Sequence, residues 1–199
     1  MFEQLLPSIR ATLVLTFYTG IIFPVVIWIF AQVIFPHQAN GSLIRSADKK
    51  TIVGSELIGQ SFTRPEYFHP RPSAAGSGYA GEASGGTNLG PTSRKLIVGE
   101  KNFPGIEQLA SAYRAENRLA ADFPVPVDAV TRSGSGLDPD ISPSNAELQT
   151  SRVAQARKIS ERQVLTLVRS FIQDRQLGFL GEPRVNVLKL NIALDRLKS

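Results

Sequence analysis

The sequence predicts an α+β domain carried on a single transmembrane helix at its N-terminus. An uncharged apolar run of 25 residues, Ala11 to Phe35, opens the chain. Helices with recognisable caps and short β-branched segments follow it in mixed order, which is the pattern of an α+β fold.

The opening run reads ATLVLTFYTGIIFPVVIWIFAQVIF, between Arg10 and Pro36-His37. As a helix it covers roughly 37 Å, against ~30 Å for a bilayer's hydrocarbon core. A cleaved signal peptide has a shorter apolar stretch and ends on small residues, whereas Val33-Ile34-Phe35 closes this one. A buried core helix is the other alternative. Gly20 and Pro24 lie one turn apart within the run, and a partner helix would accommodate them. They are candidate positions for such a contact. Counting Arg10 and the terminal amine against Arg45, Lys49 and Lys50 would leave the long domain inside the cell. Long domains cross largely regardless of charge, so the count does not decide the topology.

After the run, Ser42-Leu43-Ile44 and Thr51-Ile52-Val53-Gly54 suggest a hairpin around Asp48-Lys49-Lys50, with Glu56-Leu57-Ile58 extending it. Residues 64–91 are rich in Pro, Gly, Ser and Ala, a long loop of the kind that usually carries function or mobility. Gly90-Pro91 would open a helix over Thr92 to Val98, and Pro104 would take the first position of another with Ile106, Leu109, Ala110 and Tyr113 on one face. Val125 to Thr131 reads as a strand. Ser142-Pro143 caps a helix over Ser144 to Lys158. Ser160 and Gln163 form a capping box, and the stripe Val164, Leu167, Val168, Phe171 and Ile172 behind it is core packing, ending near Gly178. Arg184 to Leu188 reads as a strand before a short terminal helix.

Composition excludes several functions. The chain has 199 residues, no cysteine and a formal charge of +5. Thiolate metal sites and disulfides are therefore ruled out. Only Arg10 and Glu3 among the charged residues precede residue 36, so the whole +5 belongs to the remainder, where it is spread along the chain. No basic run marks a nucleic-acid partner. Gly76-Ser77-Gly78-Tyr79-Ala80-Gly81 satisfies G-x-G-x-x-G, and Gly85 to Gly90 is spaced like a phosphate loop. The first follows Pro70 and Pro72 rather than a strand, and the second carries Pro91 where a lysine must stand. Both are products of glycine-rich composition. His69 lacks further ligands nearby, and Asp138 with Asp140 completes no calcium-loop pattern. The serines have no base at a recognisable motif. No catalytic residue, cofactor site or metal site is predicted.

Several segments, taken in order, resemble one family: the N-terminal apolar helix, Phe68-His69-Pro70-Arg71-Pro72-Ser73, Ser84-Gly85-Gly86-Thr87-Asn88-Leu89-Gly90-Pro91, Asp128-Ala129-Val130-Thr131 with Ser133 to Ser142, and Val185-Asn186-Val187-Leu188 with Leu190-Asn191 and Ala193-Leu194-Asp195. They look like the C subunit of the bacterial Kdp potassium-transporting ATPase. The resemblance covers nearly the whole chain.

It implies a short cytoplasmic N-terminus over residues 1–10, a transmembrane helix over 11–35, and a soluble, extracytoplasmic α+β domain over 36–199 with loops at 64–91 and 132–142. It also implies an inner-membrane complex with a potassium-conducting subunit and a P-type ATPase subunit. ATP, magnesium and potassium would sit on those partners, and this subunit is described in the family as a chaperone for ATP binding by the catalytic one. The two loops would then dock on a partner, through Gly86, Thr87, Asn88 and Gly90 in one and Gly134, Gly136, Asp138 and Asp140 in the other. Membrane lipid would surround the helix. The alternative independent of resemblance is a membrane-tethered extracytoplasmic enzyme or binding domain acting alone.

Overall fold

Apolar residues already dominate from Leu5, and the first helix begins there rather than at Ala11. A computed structural model describes residues 2–46 and 50–197. The chain divides into two units, one ending at Ser55 and one beginning at Glu56.

In the first unit a 3₁₀ turn, Phe2–Gln4, leads into α1 (Leu5–Phe17), a π-helical turn (Tyr18–Ile22) and α2 (Phe23–Ile34). Together α1 to α2 make one helix of 30 residues, with a mean hydropathy of 2.3 over its apolar window. By length and composition it could cross a membrane. Arg10 lies inside it, so the helix starts about two turns ahead of the uncharged run. The helix stops at Ile34, where Phe35 leaves helical space (φ −126°, ψ 51°) ahead of Pro36. The π turn has a local cause. Pro24 has no N–H for the Gly20 carbonyl and its ring crowds that turn. One step earlier, the Phe23 N–H reaches back five residues to the Tyr18 carbonyl, and the widened turn absorbs the misfit.

A short α3 (Pro36–Ala39) precedes a hairpin of β1 (Leu43–Arg45) and β2 (Ile52–Ser55). Leu43 pairs with Ser55 and Ile44 with Gly54, and the register slips beyond Ile44. Of the predicted turn, Asp48 and Lys49 lie outside the described residues. Glu56-Leu57-Ile58 does not extend β2; it turns away as the second unit begins.

That second unit carries α4 (Arg94–Ile97), β3 (Gly99–Glu100), β4 (Phe103–Pro104), α5 (Ile106–Glu116) and α6 (Val127–Val130), then β5 (Asp140–Ile141), α7 (Pro143–Arg157), α8 (Glu161–Ser170), β6 (Ile172–Gln173), β7 (Arg184–Asn186) and α9 (Val187–Arg196). Several boundaries correct the sequence reading. The helix expected from Pro91 waits for Ser93, whose hydroxyl accepts the Leu96 N–H at 3.4 Å. Pro104 belongs to β4, and Gly105 caps α5 with the Gln108 side chain on its N–H at 3.1 Å. Val125 to Thr131 is not a strand, because Pro126 stands as the N-cap of α6 and the Thr131 hydroxyl closes that turn on Val127 O at 2.7 Å. The stripe after Ser160 leaves the helix at Ser170, since Ile172 is claimed by pairing with Val185.

The three-stranded antiparallel sheet runs β5-β7-β6, with Val185 between Ile141 and Ile172. The strand expected from Arg184 to Leu188 stops at Asn186, because the Asn186 side chain caps α9 from Val187 onward by accepting the Lys189 N–H at 3.0 Å. Helices α7, α8 and α9 cover this sheet around a core of Val153, Val164, Val168, Val185, Leu190 and Leu194, all fully buried. Leu167, Phe171 and Ile172 pack against it, so the predicted stripe is core.

One core residue, Phe68, comes from the long loop and is fully buried without a strand or helix around it. Its backbone is satisfied by a side chain. Asn191 accepts the Phe68 N–H at 2.9 Å and donates to the Phe68 carbonyl at 3.0 Å. Asn191→Leu keeps the volume and orphans both buried groups, so the protein should lose about 2–4 kcal/mol in urea unfolding of the detergent-solubilised chain; an unchanged midpoint would contradict this.

Candidate functional site

The residues after Phe68 are held by α7, whose face carries Asn145, Gln149 and Arg152 at spacings of four and three. Such a row reads as a solvated face, yet all three are buried. Gln149 Oε1 accepts the His69 N–H at 2.7 Å, and its amide nitrogen donates to the His69 carbonyl at 3.1 Å and to Asn145 Oδ1 at 2.9 Å. Arg152 donates through Nη1 to the Pro65 and Tyr67 carbonyls at 2.7 and 2.9 Å, and through Nη2 to Gln149 Oε1 at 2.7 Å. Its Nε reaches Asn117 Oδ1 at 3.1 Å. Burial lowers the Arg152 pKa, and the charge of Glu116, 3.7 Å away, opposes that.

Glu116 itself is held below the ordinary carboxylate range, first by the hydrogen bond from His69 Nδ1 at 2.8 Å, with burial working the other way. Tyr113 donates to Asn145 Oδ1 at 2.9 Å. Burial pushes its phenol up, and the charge of Asp128 adds to the shift. Asp128 in turn accepts the Asn145 amide at 2.9 Å and the Ser142 N–H and hydroxyl at 2.7 and 2.9 Å. The network therefore runs from the long loop through α7 and Asp128 to Ser142, where the second loop ends.

The two glycine-rich loops meet on top of it. Gly85 N–H donates to the Ser135 carbonyl at 2.8 Å, Ser84 Oγ to the same carbonyl at 3.0 Å, and Ser73 Oγ to the Gly136 carbonyl at 2.6 Å. Two glycines are required by this approach. A Cβ on Gly136, at φ +68°, would stand 2.6 Å from both Ala75 N and Gly85 O, and one on Gly86 would stand 2.9 Å from the Gly134 carbonyl.

Each predicted docking residue thus acquires a place. Gly86, Gly134 and Gly136 form the contact between the loops. Asp138 pairs with Arg71 at 2.7 Å and accepts the Asp140 N–H at 3.0 Å. Asp140 pairs with Arg184 at 3.1 Å, and burial, reinforced by Asp138, raises its pKa. Thr87 is half-buried and lines a cleft with Gly86, while Asn88 and Gly90 are exposed. Asn88 adopts a left-handed conformation at φ 53°, which asparagine tolerates. Gly20 and Pro24 belong to the other unit, at the π turn and just after it. Among the described residues, no group of three or more His, Asp or Glu side chains is placed to hold a metal ion. Chemically the site is a rigid platform, with its aspartates ion-paired and its backbone at the surface.

The loop contact makes a clear stability prediction. Gly136→Val forces a side chain into left-handed backbone and into two backbone atoms, and should cost about 2–4 kcal/mol. Gly90→Ala, with open space around it, should stay within about 0.5 kcal/mol of the parent. Thermal unfolding followed by circular dichroism compares the two, and equal effects would refute the loop contact.

Comparison with known proteins agrees with this organisation. The family model described as K+-transporting ATPase, c chain, matches residues 5–196. A potassium-transporting ATPase KdpC subunit of Mycobacterium tuberculosis is 53% identical over 197 residues, spanning 99% of this chain and 100% of the relative. The subunit of the same name from Caulobacter vibrioides is 52% identical over 195 residues, covering 98% and 94%. That of Myxococcus xanthus is 50% identical over 196 residues, covering 98% and 89%. With its apolar helix and both loops inside the matched span, the chain belongs to the KdpC family, the c chain of the K+-transporting ATPase.

Proposed function

We propose that the chain is a non-catalytic accessory subunit that assembles and stabilises a high-affinity, ATP-driven potassium uptake complex. The observation that carries this reading is the match over residues 5–196, because it includes the apolar helix and the interlocked loops in one unit of descent. The helix Leu5–Ile34 anchors the subunit in the bacterial inner membrane, and the domain from Glu56 onward lies on the extracytoplasmic side. Its companions are the potassium-conducting subunit and the P-type ATPase subunit. ATP, magnesium and potassium are handled by those two. The loop residues support a docking role, since glycines and ion-paired aspartates give a fixed surface that loses little conformational entropy on contact. The π turn at Gly20 supports a helix partner, because a locally irregular helix is best satisfied by a neighbour. An effect on the ATPase subunit's affinity for ATP, as the family role describes, then passes through subunit contacts.

Extraction in mild detergent followed by pull-down of the tagged chain should bring down two large membrane subunits, and protease added to intact spheroplasts should cleave the region beyond residue 40. A chain that purifies alone, or a domain cut only after lysis, would refute the assembly role or the orientation respectively.

A further inference from the structure

A cleft of about 670 Å³ opens between Pro72–Gly78, Gly86–Thr87, the β3–β4 hairpin and Arg132. Its two charged lining residues, Lys95 and Arg132, are both cations, and none of its lining residues is a carboxylate. Each of the two cations stands against the same aromatic ring. Arg132 Cζ stands 4.0 Å and Lys95 Nζ 5.4 Å from the Phe103 centroid, within the range where a ring face attracts a cation.

Arg132 also donates through Nη2 to the Pro104 carbonyl at 3.1 Å. Burial lowers its pKa, with no carboxylate acting against that. A half-buried guanidinium held by a ring and one carbonyl keeps further donors open to solvent, and an oxyanion would take them. Lys95 pairs with Glu100 at 3.0 Å, but both side chains are well exposed, at 41% and 59%. Such a surface pair is worth little and can be exchanged. Pro72, Leu89, Phe103, Pro104 and Leu109 supply apolar wall, which suits the stem of a side chain better than a fully hydrated inorganic ion.

We propose that this cleft receives a carboxylate side chain of a companion subunit, held between Arg132 and Lys95. The inference rests on the accessory-subunit reading and deepens it: Gly86 and Thr87 then matter as one wall of the acceptor. Phe103 holds each cation against the cleft wall before the partner arrives, so that little side-chain freedom is lost on contact.

The test uses the whole complex in mild detergent. A zero-length carbodiimide should couple Lys95 to an aspartate or glutamate of a companion subunit, read by mass spectrometry, and Arg132→Gln should lower that yield about tenfold. Lys95→Gln/Arg132→Gln should weaken retention of the companions about tenfold, as expected for loss of a charge-assisted pair, without moving the thermal unfolding of the isolated full chain. Coupling of Lys95 to Glu100 alone, or retention equal to wild type, overturns the cleft. So does saturable, Arg132-dependent binding of inorganic phosphate or ATP by the full chain in detergent, which would assign the cleft to a free anion. A wild-type chain that retains no companion fails the accessory reading itself, whereas companions kept equally by wild type and variants fail the cleft alone.

Discussion

Asn191, Gln149 and Arg152 do for the Pro65–His69 segment what a neighbouring strand does in a sheet. The segment enters the core at Phe68, and buried backbone must be hydrogen-bonded. Asn191 takes both polar groups of Phe68, Gln149 both of His69, and Arg152 the carbonyls of Pro65 and Tyr67. A charged fork deep in the fold is tolerable because each of its nitrogens has an acceptor within reach. The rest of the upper surface depends on this bracket, since Pro70 to Ala75 continue directly from His69 into the seat for Gly136.

From that seat the chemistry of the surface follows. Asp138 and Asp140 are neutralised by Arg71 and Arg184, so the second loop presents backbone and paired charges. At the start of that loop Arg132, which has no carboxylate partner among the described residues, faces the cleft beside the first loop. A surface whose Gly86 and Gly136 are taken up by the loop-to-loop contact and whose Asp138 and Asp140 are already paired is built to hold a shape. That agrees with a subunit of a transport complex.

The legible parts of the sequence were those with local causes. The apolar run near the N-terminus, the Ser142 and Ser160 caps and the Val164–Val168 stripe each follow from spacing or a cap within a few residues. Errors arose where distant contacts decide. Val125 to Thr131 has strand-like composition but winds into a turn whose Asp128 is committed to Ser142 and Asn145. Ile172 continues an apolar helical stripe but is taken by Val185 across the sheet. The Asn145, Gln149, Arg152 row was missed altogether, because a polar helix face normally meets water. The signal available was the coincidence of that row with a long loop containing Phe68, an aromatic that had to be buried somewhere. Of the docking candidates, the glycines were recognised as unusual, but spacing alone could not tell that Gly86 and Gly136 face the other loop. Lys95, Phe103 and Arg132 come from three separate segments, and nothing in their spacing brings them together.

Beneath the loops, side chains substitute for a strand. Native-state hydrogen exchange at the Phe68 and His69 amides tests it most directly, because neither residue belongs to a helix or strand. The bracket predicts exchange as slow as that of core amides in α7 and α9, governed by global unfolding. Exchange at the rate of an open loop, while α7 and α9 stay protected, would contradict it.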